Sequence, residues 1–102
     1  MPEEKIPIGV KNDSEKRKWG LLPWKEVGMI VDVLMAGEKK YSAENWKFVK
    51  DARRRYFEAM IRHVTAWWNG EVCDPDDNLH HLAHALCCCL FLLWFDNNEV
   101  KK

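Results

Sequence analysis

Apolar residues recur at helical spacing in two stretches of the chain and fill a third almost completely. Val27, Ile30, Val31, Leu34 and Met35 fall at i, i+3, i+4, i+7 and i+8, which puts them on one stripe of a helix. That helix is predicted to begin at Pro23, a residue suited to a first turn, and to stop at Gly37. Glu38 to Trp46 follows as a loop. Phe48, Val49, Ala52, Tyr56, Met60, His63, Val64 and Trp67 trace the face of a second helix, from about Lys47 to Asn69, with Gly70 as its C-terminal cap. Residues 71–78 read as a short acidic loop interrupted by Pro75. A third helix starts near Asp77 or Asn78, both good capping types, and runs to about Phe95. It is apolar nearly all round, so it is predicted to be the central and most buried element. No stretch alternates with period two, and no sheet is expected. The predicted fold is all-α, with three main helices in a small bundle.

Around this helical unit, taken as residues 19–95, residues 1–18 read as an extended or disordered lead-in and 96–102 as a polar tail. At 102 residues the chain is one domain, and 47% hydrophobic residues support only a small core. Six Trp are more aromatic surface than three helices of this size readily hide, so a homo-oligomer is expected, most simply a two-fold dimer. The longest apolar run, Ala85 to Phe95, has eleven residues, too few to span a bilayer. Pro2-Glu3-Glu4-Lys5 leads into no apolar segment of the signal-peptide type. The four cysteines, Cys73 and the consecutive Cys87, Cys88 and Cys89, form no disulfide framework and read as reduced thiols, pointing to a cytoplasmic setting. Sixteen basic residues balance sixteen acidic ones, which argues against general nucleic-acid binding.

Chemistry concentrates where the second helix hands over to the third. All four histidines lie between His63 and His84. His81 and His84 are spaced i, i+3 and share a helix face. If the two helices pack antiparallel, the last turn of one faces the first turn of the next. His63 then lies near His81 and His84, with Glu71 and Asp74 in the loop between them. Carboxylates supply oxygen ligands for Mg²⁺ or Mn²⁺, while imidazoles suit Zn²⁺, Mn²⁺ or Fe²⁺ or serve as acid/base groups near neutral pH. Arg62 and Lys40 can meet phosphate oxygens, and Trp46 or Tyr41 can stack on a base. Plainer roles stand beside these. His63 fits a hydrogen-bonded core histidine, His80 a solvent-facing first-turn residue, Asp76 and Asp77 helix caps, and Cys87–Cys89 small core residues.

Lys40-Tyr41, Asn45-Trp46, Arg62-His63, Trp67, Gly70-Glu71, Asp74 and His81-Leu82-Ala83-His84-Ala85, followed by an apolar run, occur in that order. From Asn12 to Phe95 this pattern resembles the phage and bacterial dATP/dGTP diphosphohydrolase N-terminal domain, linked to the all-α, MazG-like nucleoside triphosphate pyrophosphohydrolases. The resemblance implies a helical fold, a divalent metal, and hydrolysis of a purine deoxynucleoside triphosphate to monophosphate and pyrophosphate. On that reading Glu71, Asp74, His81 and His84 are metal ligands, and His63, Glu71 and His84 are catalytic. Lys40, Tyr41, Asn45, Trp46, Arg62 and Trp67 contact the nucleotide. Mg²⁺ or Mn²⁺ is the expected ion, ahead of Zn²⁺ or Fe²⁺. Two alternatives use the same residues: a protein that sequesters a nucleotide or cyclic nucleotide without turnover, and a structural helical module whose histidines form a core network.

Overall fold

A computed structural model describes residues 6–98 and contains three α-helices: α1 (Trp24–Lys40), α2 (Ala52–Trp68) and α3 (His81–Asn97). Among the described residues there is no strand, only an isolated bridge between Cys73 and His80. Residues 6–18 are exposed and outside any helix. The first five residues of the expected lead-in and residues 99–102 of the expected tail lie outside the described residues. No described helix is long and apolar enough to cross a membrane.

α1 begins one residue after Pro23, whose carbonyl accepts the Val27 N–H at 3.0 Å. It does not stop at Gly37. A single interior glycine costs a helix only about 1 kcal/mol, and Lys39 and Lys40 favour the carbonyl end of the dipole. The buried arc of α1 is also narrower than the sequence stripe. Val27, Ile30, Val33 and Leu34 are partly buried, whereas Val31 and Met35 are exposed. α1 packs chiefly on α3, so one arc suffices.

The second helix starts five residues later than the apolar pattern suggests. Asn45–Phe48 forms a 3₁₀ turn, Phe48 points into solvent, and Asp51 takes a left-handed conformation at φ 57° before α2 begins. Asp is among the few non-glycine types that tolerate that region. α3 likewise starts at His81 and not at Asp77 or Asn78, because Asn78 is left-handed at φ 59° and the cap is His80. His80 is therefore not a solvent-facing first-turn residue. It is half-buried, and its Nδ1 accepts the Leu82 N–H at 3.0 Å.

α3 is the most buried element, as its composition predicts, and runs two residues past Phe95. Ala83, Ala85, Cys87, Cys88 and Phe95 are buried, and α1 and α2 each pack against it. Small side chains at these positions let both neighbours approach closely. The Cys87 thiol donates to the Ile30 carbonyl at 3.4 Å, tying α3 to α1. Burial pushes the Cys87 thiol up to about 12 and Cys88 to about 11, each aided by its neighbouring cysteine. Both are packing residues. At the far end of α3, Trp46 stacks on Phe91 with centroids 4.4 Å apart, and Trp94 and Phe95 meet its edge.

The end of α2 sets the position of everything that follows. Gly70 N–H donates to the Trp67 carbonyl and Glu71 N–H to the Ala66 carbonyl, both at 3.0 Å, forming a complete Schellman cap. This requires φ +102° at Gly70. A Cβ there meets no atom within 4 Å, so Gly70→Ala carries only the conformational cost. We expect roughly 1–2 kcal/mol of destabilisation, a drop of about 5–10 °C in a thermal melt followed by circular dichroism. An unchanged midpoint would show that the cap does not need this glycine.

Candidate functional site

The segment between α2 and α3 is short and closed on itself. Asp74 N–H donates to the Leu79 carbonyl at 2.8 Å, Asn78 N–H to the Asp74 carbonyl at 2.7 Å, and His81 N–H to the Val72 carbonyl at 2.9 Å. The Asp74 carboxylate accepts the Asp76 amide and the Asp77 carboxylate accepts the Leu79 amide, both at 2.9 Å. These bonds fix Asp74 and Asp77 at the N-terminal end of α3, where the helix dipole favours negative charge.

Three imidazoles meet there. His63 Nδ1 lies 2.8 Å from His81 Nδ1, and the His81 Nε2 lies 2.6 Å from a Glu71 carboxylate oxygen. The carboxylate fixes the tautomer: His81 donates from Nε2, so its Nδ1 carries a lone pair and accepts from His63 Nδ1–H. The His63 Nε2 is then left with a free lone pair. The His63 and His84 rings stack, with centroids 4.5 Å apart and planes 6° from parallel. Asp74 Oδ2 is 3.9 Å from His63 Nδ1. On the other side His84 Nε2 approaches Asp77 Oδ2 to 2.8 Å. That contact is not an aligned N–H···O bond, and the enclosed Nε2 has no hydrogen-bond partner.

Electrostatics follow from this crowding. Burial lowers the His63 pKa, and the neighbouring His84 and His81 rings lower it further against the opposite pull of Asp74. His63 is thus neutral at pH 7. Burial works against ionisation of Asp77, but the Leu79 amide and the His84 ring outweigh it and hold the carboxyl below its usual range.

Among the described residues, two groups of ligand atoms are close enough to hold a cation: His63, Asp74 and His81, and Asp74, Asp77 and His84. Within each group the atoms lie within 4.8 Å of one another, and Asp74 belongs to both. Ligand atoms around an ion with bonds of about 2.0–2.2 Å lie about 3–4.4 Å apart, so small side-chain movements close such a shell. The donor set fits a divalent ion that accepts both imidazole and carboxylate, which favours Mn²⁺, Fe²⁺ or Zn²⁺ over Mg²⁺. Glu71 is outside both groups. Its place on the far nitrogen of His81 is the outer-shell carboxylate position that orients a metal-binding histidine.

The cluster opens through His84 and Asp77 onto a cleft of about 1110 Å³ between α1 and α2, with Phe91 of α3 also in its wall. Lys40, Tyr41, Asn45, Trp46 and Arg62 line it, and so do Arg54 and Arg55. Trp67 does not line the cleft; its ring tilts against Trp68, 6.1 Å away. One face of Trp46 is covered by Phe91, and the Lys40 ammonium lies 5.2 Å above the Tyr41 ring. Asp77, read from the sequence as a helix cap, does not cap α3; its carboxylate turns the loop by accepting the Leu79 amide and belongs to the cluster. Its seven-residue separation from His84 crosses a helix start, so helical periodicity does not account for the pairing. Arg54 and Arg55 read as ordinary solvent-facing positions of a helix. Only the course of the chain between α1 and α2 brings them to the cleft.

The family described as dATP/dGTP diphosphohydrolase, N-terminal, matches residues 7–102. A dATP/dGTP diphosphohydrolase of Salmonella phage PMBT28 is 33% identical over 91 residues, which make up 89% of this chain and 31% of that protein. The chain therefore spans less than a third of the length of this relative. No solved structure matches it.

Proposed function

Because the chain belongs to the dATP/dGTP diphosphohydrolase N-terminal family, we propose that it binds a purine deoxynucleoside triphosphate in the cleft between α1 and α2 and takes part in its hydrolysis to monophosphate and pyrophosphate. The observation that carries this reading is the continuity of the site. A His/Asp cluster suited to a divalent ion opens directly onto a cleft whose walls carry Lys40, Arg55 and Arg62, with Glu38 and Glu58 also in the lining. Phosphoryl chemistry needs these two features side by side.

His63, His81 and Asp74, or Asp74, Asp77 and His84, would hold a divalent ion, which would neutralise charge at the phosphates and acidify water. The chain's own groups do the rest. Arg62 and Lys40 hold phosphate oxygens, and Arg55 adds positive charge along the same wall, whereas Arg54 is paired with Asp51 at 2.7 Å. With the ion in the Asp74, Asp77 and His84 group, neutral His63 is free to accept a proton at Nε2, the nitrogen that its bond to His81 leaves unoccupied. The resulting imidazolium sits beside Asp74 and shares its Nδ1 proton with His81, which Glu71 anchors. The exposed Tyr41 ring offers the base a stacking surface, whereas Trp46 is already stacked on Phe91 and has the Lys47 ammonium 5.4 Å over its ring.

A nucleotide panel with Mn²⁺ and with Mg²⁺, read for pyrophosphate, monophosphate and nucleotide retained on the protein, tests the proposal. Pyrophosphate and monophosphate from dATP or dGTP, formed faster with Mn²⁺, is the expected result. Stoichiometric retention of intact nucleotide would replace hydrolysis with sequestration. Neither retention nor turnover would leave the histidines as a core network.

A further inference from the structure

The reverse side of the α2–α3 hairpin carries an apolar face that this chain does not cover. On α2, Phe57, Ile61, Val64 and Trp68 fall at i, i+4, i+7 and i+11, and all four are exposed. On α3, Leu86, Leu90 and Leu93 fall at i, i+4 and i+7, and they are exposed too. The contact between the Cys89 thiol and the Met60 sulfur at 3.1 Å joins the two rows into one surface. Arg55, Ala59 and Arg62 line the cleft from the opposite side of α2, so the face points away from it.

We infer that this face is a two-fold interface with a second copy of the same chain. Area is the first argument. Trp68 is 78% exposed, Leu93 57% and Phe57 51%, and the seven side chains together present roughly 700 Å², beyond the largest apolar patch usual on a monomer and near the roughly 800 Å² that each partner of a stable complex buries. Charge is the second. The row positions carry none, and at one end of the hairpin Arg53 and Asp96 neutralise each other at 2.7 Å. The face therefore offers nothing to select a charged partner, and the chain's net charge of zero sets up no repulsion between copies. Shape is the third. α2 and α3 are antiparallel and each has 17 residues, so rotation by 180° lays each helix along one of equal length with the apolar rows facing one another. The resulting four-helix layer keeps both clefts facing outward, and each copy retains a complete His/Asp cluster.

Sedimentation of the full chain at tens of micromolar is expected to give the mass of two chains. Leu90→Glu combined with Ile61→Glu is expected to give one chain with unchanged helical circular dichroism. Met35→Glu, on the exposed side of α1, is expected to remain dimeric. The unmutated protein provides a readout that does not depend on how the charged variant folds. Cys89 lies at the seam, so its alkylation, followed by peptide mass spectrometry, should slow at least tenfold between nanomolar and tens of micromolar protein. A monomer at tens of micromolar overturns the proposal. So does a dimer that survives the double substitution, or Cys89 alkylation independent of concentration.

Discussion

Asp74→Asn is expected to reduce turnover of the preferred deoxynucleoside triphosphate on the order of 10³-fold, about 4 kcal/mol of transition-state stabilisation, with little change in melting temperature. Asp74 is the residue common to both candidate cation groups, so removing its charge weakens either arrangement. Asn preserves the Oδ1 that accepts the Asp76 amide, so the loop keeps its shape. Titration with Mn²⁺ should show a parallel loss of affinity. Glu71→Gln makes the informative comparison. Its carboxylate reaches only the far nitrogen of His81, and outer-shell partners are worth about 10–100-fold. A larger effect from Glu71→Gln than from Asp74→Asn would mean that Glu71 touches the ion or the substrate directly. Full activity in Asp74→Asn would remove the cation cluster from the mechanism.

The largest expected loss of stability belongs to His81→Ala. His81 is 4% exposed and bonds to Glu71 through one ring nitrogen and to His63 through the other. Truncation leaves a cavity at the start of the central helix and strands the half-buried His63 Nδ1–H, whereas the exposed Glu71 returns to water. Lost packing and an unsatisfied donor together cost about 3 kcal/mol, a fall in melting temperature of roughly 12 °C or more. The measurement belongs in metal-free buffer, so that lost ion binding does not contribute. A fall under about 3 °C would mean that the surroundings close over the space and that the histidine pair is not structural.

Much of this architecture is legible in the order of residues. Antiparallel packing of α2 and α3 across a short loop is enough to bring His63, Glu71, Asp74, His81 and His84 into one region, because connectivity leaves little choice. The three helices and the central place of α3 follow from apolar periodicity and composition. Helix edges are harder. Asp51 and Asn78 break the backbone by entering a left-handed conformation, and nothing in their identity distinguishes them from ordinary capping residues. Individual orientation is harder still. Val31 and Met35 fit the α1 stripe but face outward, since the arc that α3 covers is narrower than the apolar arc. Glu71 and Asp77 exchange their expected places: Glu71 supports a histidine from behind, while the presumed cap Asp77 stands in front of one. Carboxylate direction depends on two or three side-chain torsions, which spacing does not encode. Trp46 reads as a stacking platform for a base, yet Phe91 already occupies one of its faces.

The closed segment between α2 and α3 has a bearing on how strongly anything can bind there. An open acidic loop has to give up conformational entropy when it wraps a cation, about 1–2 kcal/mol for each residue it orders. Here the Asp74 backbone is already paired across the loop and the Asp77 carboxylate already holds the Leu79 amide, with the Asp74–Leu79 and Val72–His81 bonds formed during folding. The ordering cost is met by the cooperativity of the whole domain. Ion affinity then depends on ligand charge and desolvation, and a substitution that merely loosens the loop, far from any ligand atom, would reduce affinity as surely as one that removes a carboxylate.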